Sequence, residues 1–134
     1  MVIPRFVKQA LAHQPITVYG DGTQTRTFTH VKDVTEVLVA LLDMPEAIGE
    51  VVNVGGTEEV SILQLAERVK ARAESTSEIK LLPYSEVYPK DFEDIQRRVP
   101  STDKLKQLIG YAPSMKLDQI LDDTIHYYRG GTGW

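Results

Sequence analysis

A glycine turn followed by an arginine, directly before a helical segment, constrains this chain more than any other stretch. Gly20 and Gly22 stand on either side of Asp21, and Arg26 follows closely. Because glycine has no Cβ and adopts positive φ at little cost, this spacing predicts a tight turn where the backbone can approach a ligand. A guanidinium presents a planar fork of donors that suits two phosphate oxygens. The residues alone leave two interpretations open, a phosphate site and an ordinary solvated loop.

The rest of the chain alternates helical and strand patterns, which predicts a mixed α/β fold with a few short strands. Apolar residues recur at helical spacing in five segments, which begin near Pro4, Val31, Ser61, Thr102 and Leu117. The predicted strands are residues 16–19, 27–29, 51–54 and 79–82. Ser61 and Gln64 have the spacing of a capping box.

Two apolar segments each need another layer to pack against. Residues 51–54 are apolar on both faces apart from Asn53, a pattern typical of an interior strand in a larger sheet. The second helix carries one apolar face, made of Val31, Val34, Leu38, Leu41 and Leu42.

Composition limits the class of protein. The 134 residues suffice for one domain, and 42% hydrophobic with 25% charged residues is typical of a folded chain. The net charge of -4 disfavours a nucleic-acid partner. There are no cysteines, and His13, His30 and His126 lack metal-ligand spacing, so we expect no metal site. With no apolar run of about 20 residues and no signal pattern, we expect a cytoplasmic protein without membrane contact.

Two adjacent arginines lie near the end of the long segment 83–100. Arg97 and Arg98 stand there side by side, and the residues alone leave open whether they are solvated or hold a ligand. The neighbouring Asp94, like Glu59 earlier in the chain, is expected to be a solvated charge.

Taken together, these segments resemble the carboxyl-terminal, substrate-binding part of extended short-chain dehydrogenases/reductases that act on nucleotide sugars. The family includes UDP-glucose 4-epimerase, dTDP-glucose 4,6-dehydratase and UDP-glucuronate decarboxylase, which are isomerases and lyases of carbohydrate metabolism. The resemblance covers nearly the whole chain and is carried by residues 15–22, 24–26, Phe28, residues 30–34, 52–56 and 97–100, and the pair Tyr127 and Tyr128. The family often has Pro-Asp where this chain has Pro100-Ser101, so the subfamily stays open.

The resemblance implies a set of substrate-binding residues. Arg26 and Arg98 would hold the diphosphate of a UDP- or dTDP-linked sugar from opposite sides. The nucleobase would lie against the segment Thr17, Val18 and Tyr19 and close to Asn53. Two alternatives stay open: Tyr19 closes the edge of the core, and Asn53 makes a structural hydrogen bond. Asp33 is expected to cap its helix or to hold the Arg26 loop.

Two family motifs are missing from the sequence. Members bind NAD through a Gly-x-x-Gly-x-x-Gly loop and use a Tyr with a Lys four positions later, and neither spacing occurs here. We therefore expect residues 1–134 to be a substrate-binding domain that lacks the NAD-binding sheet, with a flexible tail at 130–134. NAD would serve the full-length family, whereas we expect no cofactor, no catalytic residue and no turnover for this chain alone.

Two functional hypotheses follow. The first is the nucleotide-sugar-binding part of an NAD-dependent epimerase, dehydratase or decarboxylase. The alternative is a stand-alone nucleotide-sugar-binding or interaction module without catalysis. In the first case we expect a homodimer, or packing against the missing NAD-binding domain, in which the strand at 51–54 finds a partner.

Overall fold

The computed structural model describes residues 1–89 and 93–130, and within them the chain has the predicted mixed α/β architecture. The helices are α1 (Val2–Leu11), α2 (Val31–Leu42), α3 (Ile62–Arg72), α4 (Tyr84–Val87), α5 (Asp103–Ile109) and α6 (Leu117–Tyr128), with a short 3-10 helix at Pro45–Ala47. The strands are β1 (Ile16–Tyr19), β2 (Thr25–Arg26), β3 (Val60–Ser61), β4 (Ile79–Leu82) and β5 (Arg97–Arg98).

The described strands form two small sheets. In the first, β1 pairs in parallel with β4, so that Ile16 lies opposite Ile79. In the second, β2 lies in the centre, antiparallel to β3 and parallel to β5. The register of β2 and β5 places Arg26 directly opposite Arg98, although the two residues are far apart in the sequence.

The core lies where α1, α3 and α6 pack together against β1. Phe6 of α1, Leu65 of α3 and Leu121 of α6 are fully buried, and Ile16 and Val18 of β1 join the same cluster. The apolar stripes predicted for α1, α3 and α6 are therefore confirmed.

The capping box predicted at the start of α3 is confirmed as well. At the start of α3, Ser61 Oγ accepts a hydrogen bond from the Gln64 N–H at 3.1 Å, while the Ser61 N–H donates to Gln64 Oε1 at 3.0 Å. Gly110 ends α5 in the left-handed conformation, with φ of 64°.

Two strand predictions are wrong. Residues 51–54 form no strand, and Val51 is 83% exposed. A strand needs a neighbour to bond with, and in the part of the chain that the structure describes no strand lies beside this segment. The predicted strand at 27–29 lies earlier instead, as β2.

The segment that includes 51–54 is instead fixed at its end by Gly56. The Gly56 N–H donates to Thr29 Oγ1 at 2.8 Å, and a Cβ at Gly56 would lie only 2.1 Å from the Phe28 carbonyl oxygen.

The apolar face of α2 is left largely uncovered by the described residues. Leu38 is 58% exposed and Leu42 is 80% exposed, and α2 buries Asp33 and Val37 instead. Asp33 accepts hydrogen bonds from the N–H and Oγ of Ser114 at 2.9 and 2.6 Å and from the Met115 N–H at 3.3 Å. It therefore holds the loop before α6, not the loop of Arg26.

None of the helices in the described part of the chain combines the length and the apolar character needed to span a bilayer. The tail predicted to be flexible falls mostly at 131–134, which lies outside the described residues.

Candidate functional site

A cavity of about 640 Å³ lies between the start of α1, the segment after β2, α4 and β5. Its wall contains several polar or aromatic side chains: Arg5, Tyr19, Gln24, Arg26, Thr27, Thr29, Tyr84, Tyr88, Asp94, Arg98 and Thr124. Three of the residues predicted from the sequence, Tyr19, Arg26 and Arg98, are thus brought together at one cavity.

The glycine turn has the predicted backbone conformation, with φ of 73° at Gly20 and 76° at Gly22. Its close contacts are made with the protein itself. A Cβ at Gly20 would lie 2.6 Å from the Tyr84 ring, and a Cβ at Gly22 would lie 2.9 Å from the side chains of Leu63 and Val18. The turn therefore supports the cavity wall from behind.

Arg26 is held from two sides by described residues. Its Nη2 lies 2.7 Å from Asp94 Oδ1, and its Nη1 donates to the Thr25 carbonyl at 2.8 Å. The side chain of Arg26 is 13% exposed and that of Asp94 is 22% exposed. The sequence-based view of Asp94 as a solvated charge is therefore wrong.

Tyr84 extends this hydrogen-bonded chain, since its hydroxyl donates to Asp94 Oδ2 at 2.8 Å. Burial of the phenol, together with the hydrogen bond to Asp94 and the negative charge of that carboxylate, raises the pKa of Tyr84 to about 12. The phenol therefore stays protonated and keeps donating at any physiological pH.

Arg98 lies beside Arg26 but in a different environment. It is exposed, and no ion pair of Arg98 is found within residues 1–89 and 93–130. The strand register thus places two arginines opposite each other at the wall of the same cavity.

The adjacent Arg97 is engaged elsewhere. Its Nε and Nη2 donate to Glu59 at 3.0 and 2.9 Å, and the Thr25 hydroxyl donates to the same carboxylate at 2.6 Å. The hydrogen bonds from Arg97 and Thr25 lower the pKa of Glu59. Glu59 is thus an exposed charge, as predicted, that is also paired with Arg97, so the two neighbouring arginines have different partners.

Tyr19 is covered on one face by a residue that the sequence did not single out. The guanidinium of Arg5 lies 3.8 Å from the centroid of the Tyr19 ring, and Arg5 Nη2 donates to the Thr17 carbonyl at 3.1 Å. Tyr88 meets the Tyr19 ring edge-on, with 5.8 Å between centroids. A nucleobase could stack on Tyr19 only from the face opposite Arg5.

The other predicted residues do not line this cavity. The Thr17 hydroxyl accepts from Gln9 Nε2 at 2.9 Å, and Val18 is fully buried in the core. Asn53 is exposed in a neighbouring cleft of about 480 Å³ that it shares with Arg98, and its Nδ2 donates to the Ser101 carbonyl at 3.2 Å.

Neither a metal site nor an NAD site is indicated by the residues present. In the part of the chain that the structure describes, no group of three or more His, Cys, Asp and Glu side chains is arranged to hold a metal ion. The glycine spacing that brings a dinucleotide pyrophosphate close to a helix is missing from the sequence, so we assign no residue of this chain to NAD.

Comparison with protein families gives a match over nearly the whole chain. Residues 1–124 match the family model described as GDP-mannose 4,6 dehydratase. The chain belongs to this family of extended short-chain dehydrogenases/reductases. The resemblance inferred from the sequence motifs is therefore confirmed.

Curated members of the family are similar over 96% of this chain. A UDP-N-acetyl-alpha-D-glucosaminuronate decarboxylase of Bacillus cytotoxicus is 40% identical over 128 residues, and UDP-glucuronic acid decarboxylase 1 of Xenopus tropicalis is 39% identical over 128 residues. The chain spans 40% of the length of the first relative and 28% of the second.

Solved structures of family members have the same fold over 97% of this chain. An epimerase of Methanothermobacter thermautotrophicus superposes with a TM-score of 0.87 at 29% identity, and the match covers 37% of its chain. A UDP-glucuronic acid 4-epimerase of Bacillus cereus, solved with UDP-glucuronic acid and NAD, superposes with a TM-score of 0.85 at 30% identity over 40% of its chain.

Proposed function

We propose that this chain binds the nucleoside diphosphate of a UDP- or dTDP-linked sugar, as the substrate-binding part of an NAD-dependent epimerase, dehydratase or decarboxylase. The observation that carries this proposal is the pairing of Arg26 with Arg98 at the wall of one cavity. The UDP-sugars named for the relatives support the choice of ligand class.

The charge of the cavity suits a diphosphate. Its wall contains the arginines Arg5, Arg26 and Arg98 and one carboxylate, Asp94, which leaves two positive charges. The diphosphate of a nucleotide sugar carries one negative charge on each phosphate group. The ligand would therefore neutralise the cavity, and guanidinium groups can donate to phosphate oxygens in pairs.

The surrounding side chains indicate where the nucleobase of the ligand would lie. We place the nucleobase beside Tyr19, whose aromatic ring can stack with a pyrimidine, in the segment Thr17–Tyr19. Asn53 lies in the neighbouring cleft, on the far side of Arg98, and we assign it to the edge of the site.

The reaction of the family, an isomerase or lyase step on the bound sugar, requires NAD and a tyrosine-lysine pair. Neither the glycine spacing for NAD nor the Tyr-x-x-x-Lys spacing is present in residues 1–134. We therefore propose that this chain by itself contributes binding and orientation of the substrate, without turnover.

Titration of the chain with UDP, followed by NMR, tests the proposal. Two charge-assisted contacts contribute about 3 to 6 kcal/mol, and millimolar binding needs about 4 kcal/mol, so we expect a millimolar Kd. Amides of residues 20–26 and around Arg98 should shift, and Arg26→Ala should abolish the shifts. Arg97→Ala is the matched control, since Arg97 is the neighbouring arginine but does not line the cavity.

Equal binding by wild type and Arg26→Ala would show that the phosphate site is misassigned. A separate assay addresses the alternative of a module without catalysis. The chain is incubated with NAD and UDP-glucose, UDP-glucuronate or dTDP-glucose, and any epimer, keto-sugar or carbon dioxide above the blank would contradict the absence of turnover.

A further inference from the structure

We infer that Asp94 competes with the phosphate of the ligand for Arg26, so that this carboxylate sets how tightly the cavity binds an anion. The inference rests on the proposed function, because it concerns the same arginine. Nothing in the sequence pattern pointed to Asp94, since 68 positions separate it from Arg26.

The geometry makes Asp94 an internal substitute for a phosphate group. Its Oδ1 lies 2.7 Å from Arg26 Nη2, which is the distance of a charge-assisted hydrogen bond. Its Oδ2 accepts the Tyr84 hydroxyl at 2.8 Å, so both carboxylate oxygens have a donor, as phosphate oxygens would.

Because Arg26 is largely buried, it cannot bind the Asp94 carboxylate and a phosphate of the ligand equally well at the same time. Only 13% of the Arg26 side chain is exposed, and its other terminal nitrogen already donates to the Thr25 carbonyl. A phosphate that reached the remaining donors would also lie close to the Asp94 carboxylate, and like charges at such a distance repel strongly in a partly buried site. The phosphate therefore gains full contact with Arg26 when the carboxylate turns away.

The exchange requires a small movement. The backbone next to Asp94 is fixed by the Thr25 N–H, which donates to the Gln96 carbonyl at 2.7 Å and holds β5 beside β2. Rotation of the Asp94 side chain leaves this bond intact and keeps Arg98 opposite Arg26. The phosphate groups of the ligand would then take the place of the Asp94 carboxylate on Arg26 and also reach Arg98.

Substitution of Asp94 tests the inference with UDP as the probe. Asp94→Asn keeps the shape but removes the charge, so we expect UDP to bind about tenfold more tightly than to wild type, in line with the greater strength of hydrogen bonds to charged partners. Glu93→Gln is the matched control, because it removes the same charge one residue away at a position that does not line the cavity. It should leave the Kd unchanged.

A second variant keeps the test decisive if Asp94→Asn does not fold. Tyr84→Phe removes the hydroxyl that holds Asp94, which loosens the carboxylate without changing the charge, and UDP should bind about threefold more tightly. Tighter binding by Asp94→Asn, or by Tyr84→Phe where Asp94→Asn does not fold, supports the inference if Glu93→Gln leaves the Kd unchanged.

The failures of the two proposals can be told apart. If wild type binds UDP, Arg26→Ala does not, and Asp94→Asn binds equally or more weakly, the proposed function stands and Asp94 is a positioning residue for Arg26. If neither wild type nor Asp94→Asn binds UDP, the proposed function is overturned and this inference with it. Binding by Asp94→Asn alone would support the competition directly.

Discussion

The helices of the core and helix α2 are held in place by different kinds of contact. In the core, α1, α3 and α6 bury apolar side chains against one another around β1. The polar contacts of α2 are made by Asp33, which holds the loop at Ser114, and by His30, whose Nε2 lies 3.3 Å from Asp123 on α6. A helix can therefore leave its apolar face exposed when polar contacts on its other side hold it in place.

The two regions should differ most in how far the free energy of unfolding falls when a leucine is replaced by alanine. Leu121 is fully buried on α6, whereas Leu38 is largely exposed on α2. Leu121→Ala should lower the free energy of unfolding by about 2 to 5 kcal/mol, since it leaves a cavity in the core. Leu38→Ala should change it by less than about 0.5 kcal/mol.

Urea denaturation followed by circular dichroism measures both values on the same chain. A similar loss of stability in the two variants would mean that the face of α2 is covered in solution, and the contrast between the regions would disappear.

Replacement of the buried carboxylate of Asp33 should give the next largest effect on the free energy of unfolding, and this effect should depend on pH. Burial by itself would raise the pKa of Asp33, but the hydrogen bonds from Ser114 and Met115 outweigh burial and hold this pKa below its ordinary value. Asp33→Asn should therefore cost about 1.5 to 3 kcal/mol at pH 7, where the carboxylate is charged.

The sign of the pH dependence follows from the lowered pKa. The stabilisation by Asp33 is fully present above the unfolded-state pKa of about 3.9 and is lost as the pH falls through the lower pKa of the folded state. Wild type and Asp33→Asn should thus converge in stability at acid pH. Unfolding curves at pH 7, 5, 4 and 2.5 check this, and a constant difference between the two proteins would contradict it.

The smallest predicted effect is self-association through the apolar face of α2. Leu38, Val39 and Leu42 form exposed apolar surface, and such surface favours contact with another protein surface. Light scattering of the concentrated chain should give a mean mass above the 15.0 kDa of one copy. The double variant Leu38→Lys, Leu42→Lys should bring the mass back to that of a monomer.

Tyr127→Lys provides the control, because it places the same charge at an exposed aromatic residue on α6 and leaves the apolar face of α2 unchanged. A wild-type chain that stays at the monomer mass would show that the apolar face of α2 does not mediate association. Pairing through a strand at 51–54 is no longer expected, since that segment is not a strand.

Local patterns predicted the fold where the answer depended on near neighbours in the sequence. The apolar stripes of α1, α3 and α6 and the capping box of α3 are properties of ten or so consecutive residues, and they were found as expected. The strand predicted at 51–54 failed because a strand needs a neighbour to pair with, and the face of α2 stays exposed because burial depends on what covers a surface. An apolar pattern indicates that a surface can be buried, but it does not show which element covers it.

Only part of the candidate site could be predicted from the sequence. Tyr19, Arg26 and Arg98 lie at one cavity, as the family motifs implied, because each stands in a recognisable sequence context. Asp94 and Arg5 were missed because their contacts depend on how distant segments meet. No spacing in the sequence shows that Asp94 reaches Arg26, or that α1 crosses β1 so that Arg5 covers Tyr19.

Gly56 limits the shape of the cavity from outside it. Thr27, Phe28 and Thr29 form part of the cavity wall, and Gly56 lies against the back of that wall, at the Phe28 carbonyl. Any larger residue at position 56 would displace this wall, although Gly56 itself does not line the cavity. The width of the cavity can therefore evolve, or be engineered, through a position that a comparison of cavity-lining residues alone would overlook.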